Sequence, residues 1–137
     1  MSGTNEATTA TTRLVVERLL AAMDDGDPQA IQACQSPDMQ FWMPGSTKIH
    51  GHFNGRDAFD AMATGVFQYV SDGIKLTVDN LIVGGEYAVA QARGTATTTK
   101  GKAYNNTYCI VWRVQDELVT EMTEYHDTDL VRQVLLA

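Results

Sequence analysis

The chain has 137 residues, 44% of them hydrophobic, enough for one core and too few for two ordinary domains. Ten Lys and Arg against 17 Asp and Glu give a formal charge of -7, so the long-range field repels phosphate backbones and anionic lipid, and neither nucleic acid nor a membrane is expected as a partner. The opening MSGTNEATTATT carries no basic start and no apolar run, so no export signal is expected and the protein is read as cytoplasmic. Residues 1–11 are expected to form a flexible N-terminus to a single domain over 12–137.

Val15, Leu19, Ala22 and Met23, widened by Val16 and Leu20, recur at helical spacing between Thr12 and Asp25, and Gly26 ends that helix. Asp27 then Pro28 is an N-cap with a first-turn proline, opening a short helix through Ala33. MQFWMPG is a brief strand stopped by Pro44 and Gly45, and STKIHGHF is a loop. Behind an Asn54 cap, Phe59, Met62, Ala63, Val66, Phe67 and Val70 form one stripe of a third helix. After it the pattern alternates, and IKLTVDNLIVG, YAVAQARGTATTT, AYNNTYCIVWRV and LVTEMTEYH are strands separated by short turns. Asp127 or Thr128 caps a closing helix, DLVRQVLL. Cys34 and Cys109 lie inside elements, away from any histidine at metal-ligand spacing, and are expected to be buried thiols.

Helices followed by a long antiparallel meander make an α+β fold whose curved sheet wraps around the helices and leaves a pocket. Two turns decide which side chains face it. A two-residue turn at Lys100-Gly101 sets Arg93 opposite Tyr108 and Thr95 opposite Asn106. A three-residue turn at Gln115, Asp116 and Glu117 sets Tyr108 opposite Glu124 and Asn106 opposite His126. Two polar rows, Arg93-Tyr108-Glu124 and Thr95-Asn106-His126, then share a face with Ile110, Trp112 and Met122. That face is a pocket with an apolar body and a polar floor, walled by Phe41, Trp42 and Met43. A slip of one residue in either turn would destroy it.

FWMPGSTKIHGHFNGRDAFDAM and YCIVWRVQDELVTEMTEYHDT resemble the SnoaL-like branch of the nuclear transport factor 2-like superfamily, which includes polyketide cyclases, limonene-epoxide hydrolases and ketosteroid isomerases. The resemblance runs from about Leu14 to Leu135 and implies a cone-shaped cavity between a curved sheet and helices, often in a homodimer. It places Glu124 where the cyclases and hydrolases carry a catalytic Asp, and Arg93 where the hydrolases carry its Arg partner. The second hydrolase acid falls at Thr95, which takes no proton from water at neutral pH, so that mechanism is incomplete. The isomerase Tyr and two Asp fall near Leu19, Met43 and Ile110, which excludes steroid isomerisation and leaves these three as cavity contacts.

The expected function is cofactor-independent acid/base chemistry (cyclisation, isomerisation, dehydration or hydrolysis) on an apolar, oxygen-bearing small molecule, with no metal. Glu124 is the general acid or base, Arg93 its partner or an oxyanion stabiliser, Tyr108 a donor to substrate oxygen, and His126 a proton shuttle. Thr95, Asn106, Trp112, Ile110, Met122, Phe41, Trp42, Met43 and Leu19 are the expected substrate contacts. His50 and His52 are expected to face solvent. The alternative is a non-catalytic protein that holds a small ligand in the same cavity. The alanine-rich side of YAVAQARGTATTT, with Cys109, Val111, Val119 and Tyr125, is expected to be an outer face buried against a second copy.

Overall fold

The computed structural model describes the chain from residue 2 onward, and its side chains from residue 5 onward. Its elements in chain order are α1 (Ser2–Asp25), α2 (Pro28–Ala33), β1 (Gln35–Met43), β2 (Gly51–Asn54), α3 (Arg56–Phe67), β3 (Lys75–Gly84), β4 (Tyr87–Thr97), β5 (Ala103–Gln115), β6 (Leu118–His126) and α4 (Thr128–Leu130), which continues as a π-helical turn, Val131–Leu135. The strands form one curved, unclosed sheet in the order β2-β1-β6-β5-β4-β3. β3 to β6 are the antiparallel meander expected from alternation, whereas β1 joins it through a parallel pairing with β6. Helices α1 and α3 lie against the concave side. The core is built from Val15, Val16 and Leu19 of α1 against Met39, Phe41, Ile110, Trp112, Val114 and Met122 of the sheet. No helix among the described residues is long and apolar enough to cross a membrane.

Helix α1 begins at Ser2, so the segment expected to fray is helical. Two threonines on one side of it explain the gain: Thr12 Oγ1 donates to the Gly85 carbonyl (2.7 Å), and the Gly85 amide donates to Thr9 Oγ1 (2.8 Å). The β3–β4 turn is thereby pinned through both its backbone groups, a gain that apolar periodicity does not reveal. Asp27 caps α2 as expected, accepting from the amides of Gln29 and Ala30. Asn54 caps nothing: it ends β2, a strand where a loop was expected, and its Oδ1 accepts from Gln40 Nε2. Gly55 occupies the cap position of α3, without a side-chain bond.

The two turns that decide the faces depart from expectation differently. Between β4 and β5 the pairs run from Tyr87↔Arg113 to Thr97↔Ala103, one residue out of the expected register. Thr98 and Lys102 close a longer turn, with the Thr98 amide on the Lys102 carbonyl (2.7 Å). Every side chain of β4 therefore swaps sides. Ala88, Ala90, Ala92 and Gly94 face the core, and Arg93 and Thr95 face out. The alanine stripe expected to meet a second copy is thus the inner lining, and Val119 is buried with it. Cys109, Val111 and Tyr125 do lie on the outer side.

Between β5 and β6 the turn is two residues, Asp116 and Glu117, both at positive φ (52° and 64°), and a bulge follows at Thr120. The shorter turn and the extra residue offset each other in parity. Tyr108, Ile110 and Trp112 consequently share the inner face with Met122, Glu124 and His126, though the partners shift: Tyr108 lies opposite His126, and Ile110 opposite Glu124.

Candidate functional site

A cavity of about 140 Å³ lies between α3 and the inner face of the sheet. Met62, Ala63, Val66 and Phe67, from the stripe on α3, face Phe41 and Met43 of β1 and Ile110 and Met122 of the central strands. Its polar groups collect at the end where β5 and β6 run together: Tyr104, Tyr108, Glu124 and His126.

Four side chains from two segments form a continuous hydrogen-bonded chain there. His126 Nδ1 lies 3.1 Å from Glu124 Oε2, its Nε2 lies 2.8 Å from His50 Nε2, and His50 Nδ1 lies 2.6 Å from Thr47 Oγ1. The His126 side chain is 3% exposed and that of Glu124 is 20% exposed, so the pair is held largely away from bulk water. Glu124 and His126 meet because alternation aims both inward. His50 arrives from the segment before β2, where its amide bonds the Thr47 carbonyl and Gly45 lies flat against its ring. A Cβ on Gly45 would come within 2.4 Å of His50 Cγ, so only a residue without a side chain leaves room for the imidazole.

The tautomers follow from the bonds. With Glu124 ionised, His126 donates from Nδ1, its Nε2 accepts from His50 Nε2–H, and His50 Nδ1 accepts from the Thr47 hydroxyl. An additional proton on the pair reverses the outer half: His50 Nε2 accepts from an imidazolium His126, and His50 Nδ1–H donates to Thr47. Two charged rings at this distance would repel. Burial first, and then the neighbouring His126, push the His50 pKa below its usual value, with Glu124 partly opposing. Folding therefore favours neutral His50. Its contribution to stability is present above the ordinary histidine pKa of about 6.5 and is lost as pH falls through that region toward the lower folded value. Urea midpoints measured from pH 8 to pH 5 are expected to drop more steeply for the native chain than for His50→Gln; parallel curves would remove His50 from the coupled pair.

Two phenols complete the polar end. Asn106 Nδ2 donates to the Tyr104 hydroxyl (2.9 Å) and to the Asp127 carbonyl (3.1 Å), while its Oδ1 accepts from the amides of Thr107 and Asp127. Asn106 is thus a brace that fixes Tyr104 and the entry to α4, and it is no lining residue. Burial above all raises the pKa values of Tyr104 and Tyr108, that of Tyr108 far beyond the usual phenol range. Both stay protonated. The Tyr108 ring meets His126 edge-on, with centroids 5.7 Å apart, and lies directly against Gly94.

Of the residues expected to form the site, Glu124, His126, Tyr108, Ile110, Met122, Phe41 and Met43 line the cavity. Arg93 does not. It projects from the outer face and makes a paired contact with Asp79, the bulged residue of β3, at 2.9 Å, with both side chains well exposed. Thr95 is exposed on the same side. Trp42 also faces outward, stacked on His52 with ring centroids 4.9 Å apart. Leu19 and Trp112 are inner but belong to the packed core away from the cavity. His52 is exposed and bonds Gln40, as a solvent-facing residue can. His50, expected beside it in solvent, is instead the third member of the chain, and Thr47 and Tyr104 were not singled out from sequence at all. Their one legible signal was an HGH pair in a segment passing over a cavity, which does not distinguish the inward histidine from the outward one. Among the described residues no group of three His, Cys, Asp or Glu is disposed to hold a metal ion.

The model of the SnoaL-like domain family matches residues 16–122. No curated protein matches the chain. Similar solved structures include an NTF2-like protein of unknown function from Burkholderia pseudomallei, 20% identical, covering 93% of this chain and 98% of that one, with a TM-score of 0.86. TerC, co-crystallised with polyporic acid, is 18% identical over 93% of this chain and 99% of its own, with a TM-score of 0.83. A putative SnoaL-like polyketide cyclase from Jannaschia sp. is 18% identical over 95% and 94%, with a TM-score of 0.81. At these identities the likeness is one of fold.

Proposed function

The chain belongs to the SnoaL-like domain family, and from that premise we propose that it is a cofactor-independent enzyme performing acid/base chemistry on an apolar, oxygen-bearing small molecule. The observation that carries this reading is the hydrogen-bonded chain Glu124–His126–His50–Thr47, with its acidic end in an otherwise apolar cavity. Burying an acid and two imidazoles costs several kcal/mol before their mutual bonds offset it, and an apolar trio would serve the core as well. TerC, a protein of the same fold, was co-crystallised with polyporic acid.

Glu124 is the group that exchanges a proton with substrate. Its Oε2 is held by His126, while among the described residues Oε1 has no partner and is open to the cavity. His126 fixes the orientation of the carboxylate. A surplus proton on His50 crosses to His126 Nε2 and there faces Glu124, leaving His50 neutral with its Nδ1–H on Thr47; the reverse movement withdraws it.

The test begins with a thermal-shift screen of apolar ketones, phenols, quinones and epoxides, followed by NMR of each stabilising compound with the protein in D2O. At least one compound is expected to raise the melting temperature and to be converted with deuterium incorporated from solvent. Compounds that stabilise the protein and emerge unchanged would make it a binding protein instead.

A further inference from the structure

Four of the chain's six methionines meet in one place. Met23 of α1, Met43 of β1, Met62 of α3 and Met122 of β6 all line the cavity, so each of these four walls carries a thioether. Methionine is unbranched and turns about three side-chain bonds, which lets it fill an irregular gap in one arrangement and vacate it in another. The cavity they leave is about 140 Å³, well under the ~300 Å³ at which small-molecule sites usually begin. An apolar ligand of ordinary size therefore needs more room than the walls now give. The backbone of the sheet is not where that room arises. β1 and β6 lie inside the sheet, each hydrogen-bonded to a strand on both sides, and the polar end is tied by the bonds from Glu124 through His126 to His50. The parts able to yield are the four methionines, arranged around a fixed end.

We infer that the cavity is an adaptable site: Met23, Met43, Met62 and Met122 swing aside to admit a ligand larger than the space they enclose, and these four side chains decide which apolar shapes are accepted. Turning a thioether from one staggered position to another reshapes the wall without breaking a hydrogen bond. Leucine, of similar volume but branched and with one torsion fewer, is confined to fewer shapes. A fixed end with yielding walls tolerates variety in the body of the ligand, so flat and globular molecules are both accepted. Among the described residues no Lys or Arg lines the cavity, so that variety is among uncharged bodies. The adaptability belongs to the walls and not to the proton transfer. It requires only that the cavity take a ligand, as in the reading above, and it holds equally for an enzyme and for a binding protein.

The test is carbon NMR of the chain labelled at its methionine methyl groups, whose shifts report the rotamer of the last torsion, with 1-tetralone and 2-adamantanone as ligands. These ketones have the same number of carbons, but one is flat and the other globular. Both are expected to bind, with dissociation constants within about tenfold of each other. The methyl signals of Met23, Met43, Met62 and Met122 are expected to move, and to different positions for the two ligands, while that of Met39, sealed in the core, stays in place. In the chain carrying Met23→Leu, Met43→Leu, Met62→Leu and Met122→Leu, the ratio of the two dissociation constants is expected to change at least tenfold. Should that chain melt too low to use, Met62→Leu with Met122→Leu, one from the helix and one from the sheet, is expected to change the ratio at least threefold. Binding of one ketone or of neither by the native chain, methionine methyls unmoved in the complexes, or an unchanged ratio in the leucine chain overturns the adaptable site. None of these outcomes bears on deuterium incorporation, by which the acid/base reading stands or falls separately.

Discussion

Glu124→Gln is expected to lower turnover of the compound found by screening by 10²- to 10⁴-fold while leaving its dissociation constant within about threefold. That range is what a positioned general acid or base contributes. The amide fills the same volume, and its carbonyl oxygen still accepts from His126 Nδ1–H, so the hydrogen-bonded chain and the cavity wall survive. What is lost is the capacity to take a proton. His126→Gln is expected to cost less, since Glu124 keeps its charge and loses only the group that holds it, and His50→Gln less again, since it acts on Glu124 only through His126. The order Glu124, His126, His50 in kcat is the signature of a relay in which one end touches substrate. Unchanged kcat in Glu124→Gln would end the assignment, and a loss confined to affinity would favour the binding protein.

Much of this arrangement could be read from residue order. The change from helical period to alternation placed four strands within a residue or two, and the Asp27-Pro28 pair placed α2. The inward pairing of Glu124 and His126 followed from their spacing alone. Their face relative to Tyr108 came out right although the turn was misread, because the Thr120 bulge restores the parity that the shorter Asp116-Glu117 turn would have broken. Nothing offset the error at Lys100-Gly101, and Arg93 left the site with Thr95. The outer side of β4 is polar and its inner side is alanine, a pattern that taken alone already favours burial of the alanines. Reading Arg93 and Thr95 as pocket residues set an expected chemistry above the tendency of small apolar side chains to be inside. His50 was illegible for another reason. Its position depends on a long-range pairing of β2 with β1 and on the parallel contact of β1 with β6, neither of which has a local pattern in the sequence.

Gly94→Ala is expected to destabilise the protein by about 1–3 kcal/mol, the usual cost of forcing an extra methyl into a packed core, and to remove ligand binding with it. Gly94 sits on the inner face of β4, opposite Asn106 and Leu76. A Cβ there would lie 2.6 Å from Tyr108 Cε2, 3.3 Å from its Cζ and 3.0 Å from Ile74 Cγ2. The first distance is shorter than real Cβ atoms adopt, so something must move. Tyr108 has little freedom to yield, being buried and edge-on to His126. A shift of its ring displaces the Tyr108 hydroxyl and narrows the cavity beside Glu124. Gly65→Ala provides the comparison: in the last turn of α3 with open space around it, the methyl meets nothing, and the helix gains up to about 1 kcal/mol. Because the clash is with ring carbons, Tyr108→Phe does not relieve it, whereas Tyr108→Val removes both atoms. A double-mutant cycle of Gly94→Ala with Tyr108→Val is therefore expected to show a coupling of about 1 kcal/mol or more, and the cycle with Tyr108→Phe close to none. Additive energies in both cycles would mean that β4 moves rather than the ring, and that the cavity's polar end tolerates a methyl where the geometry leaves no room for one.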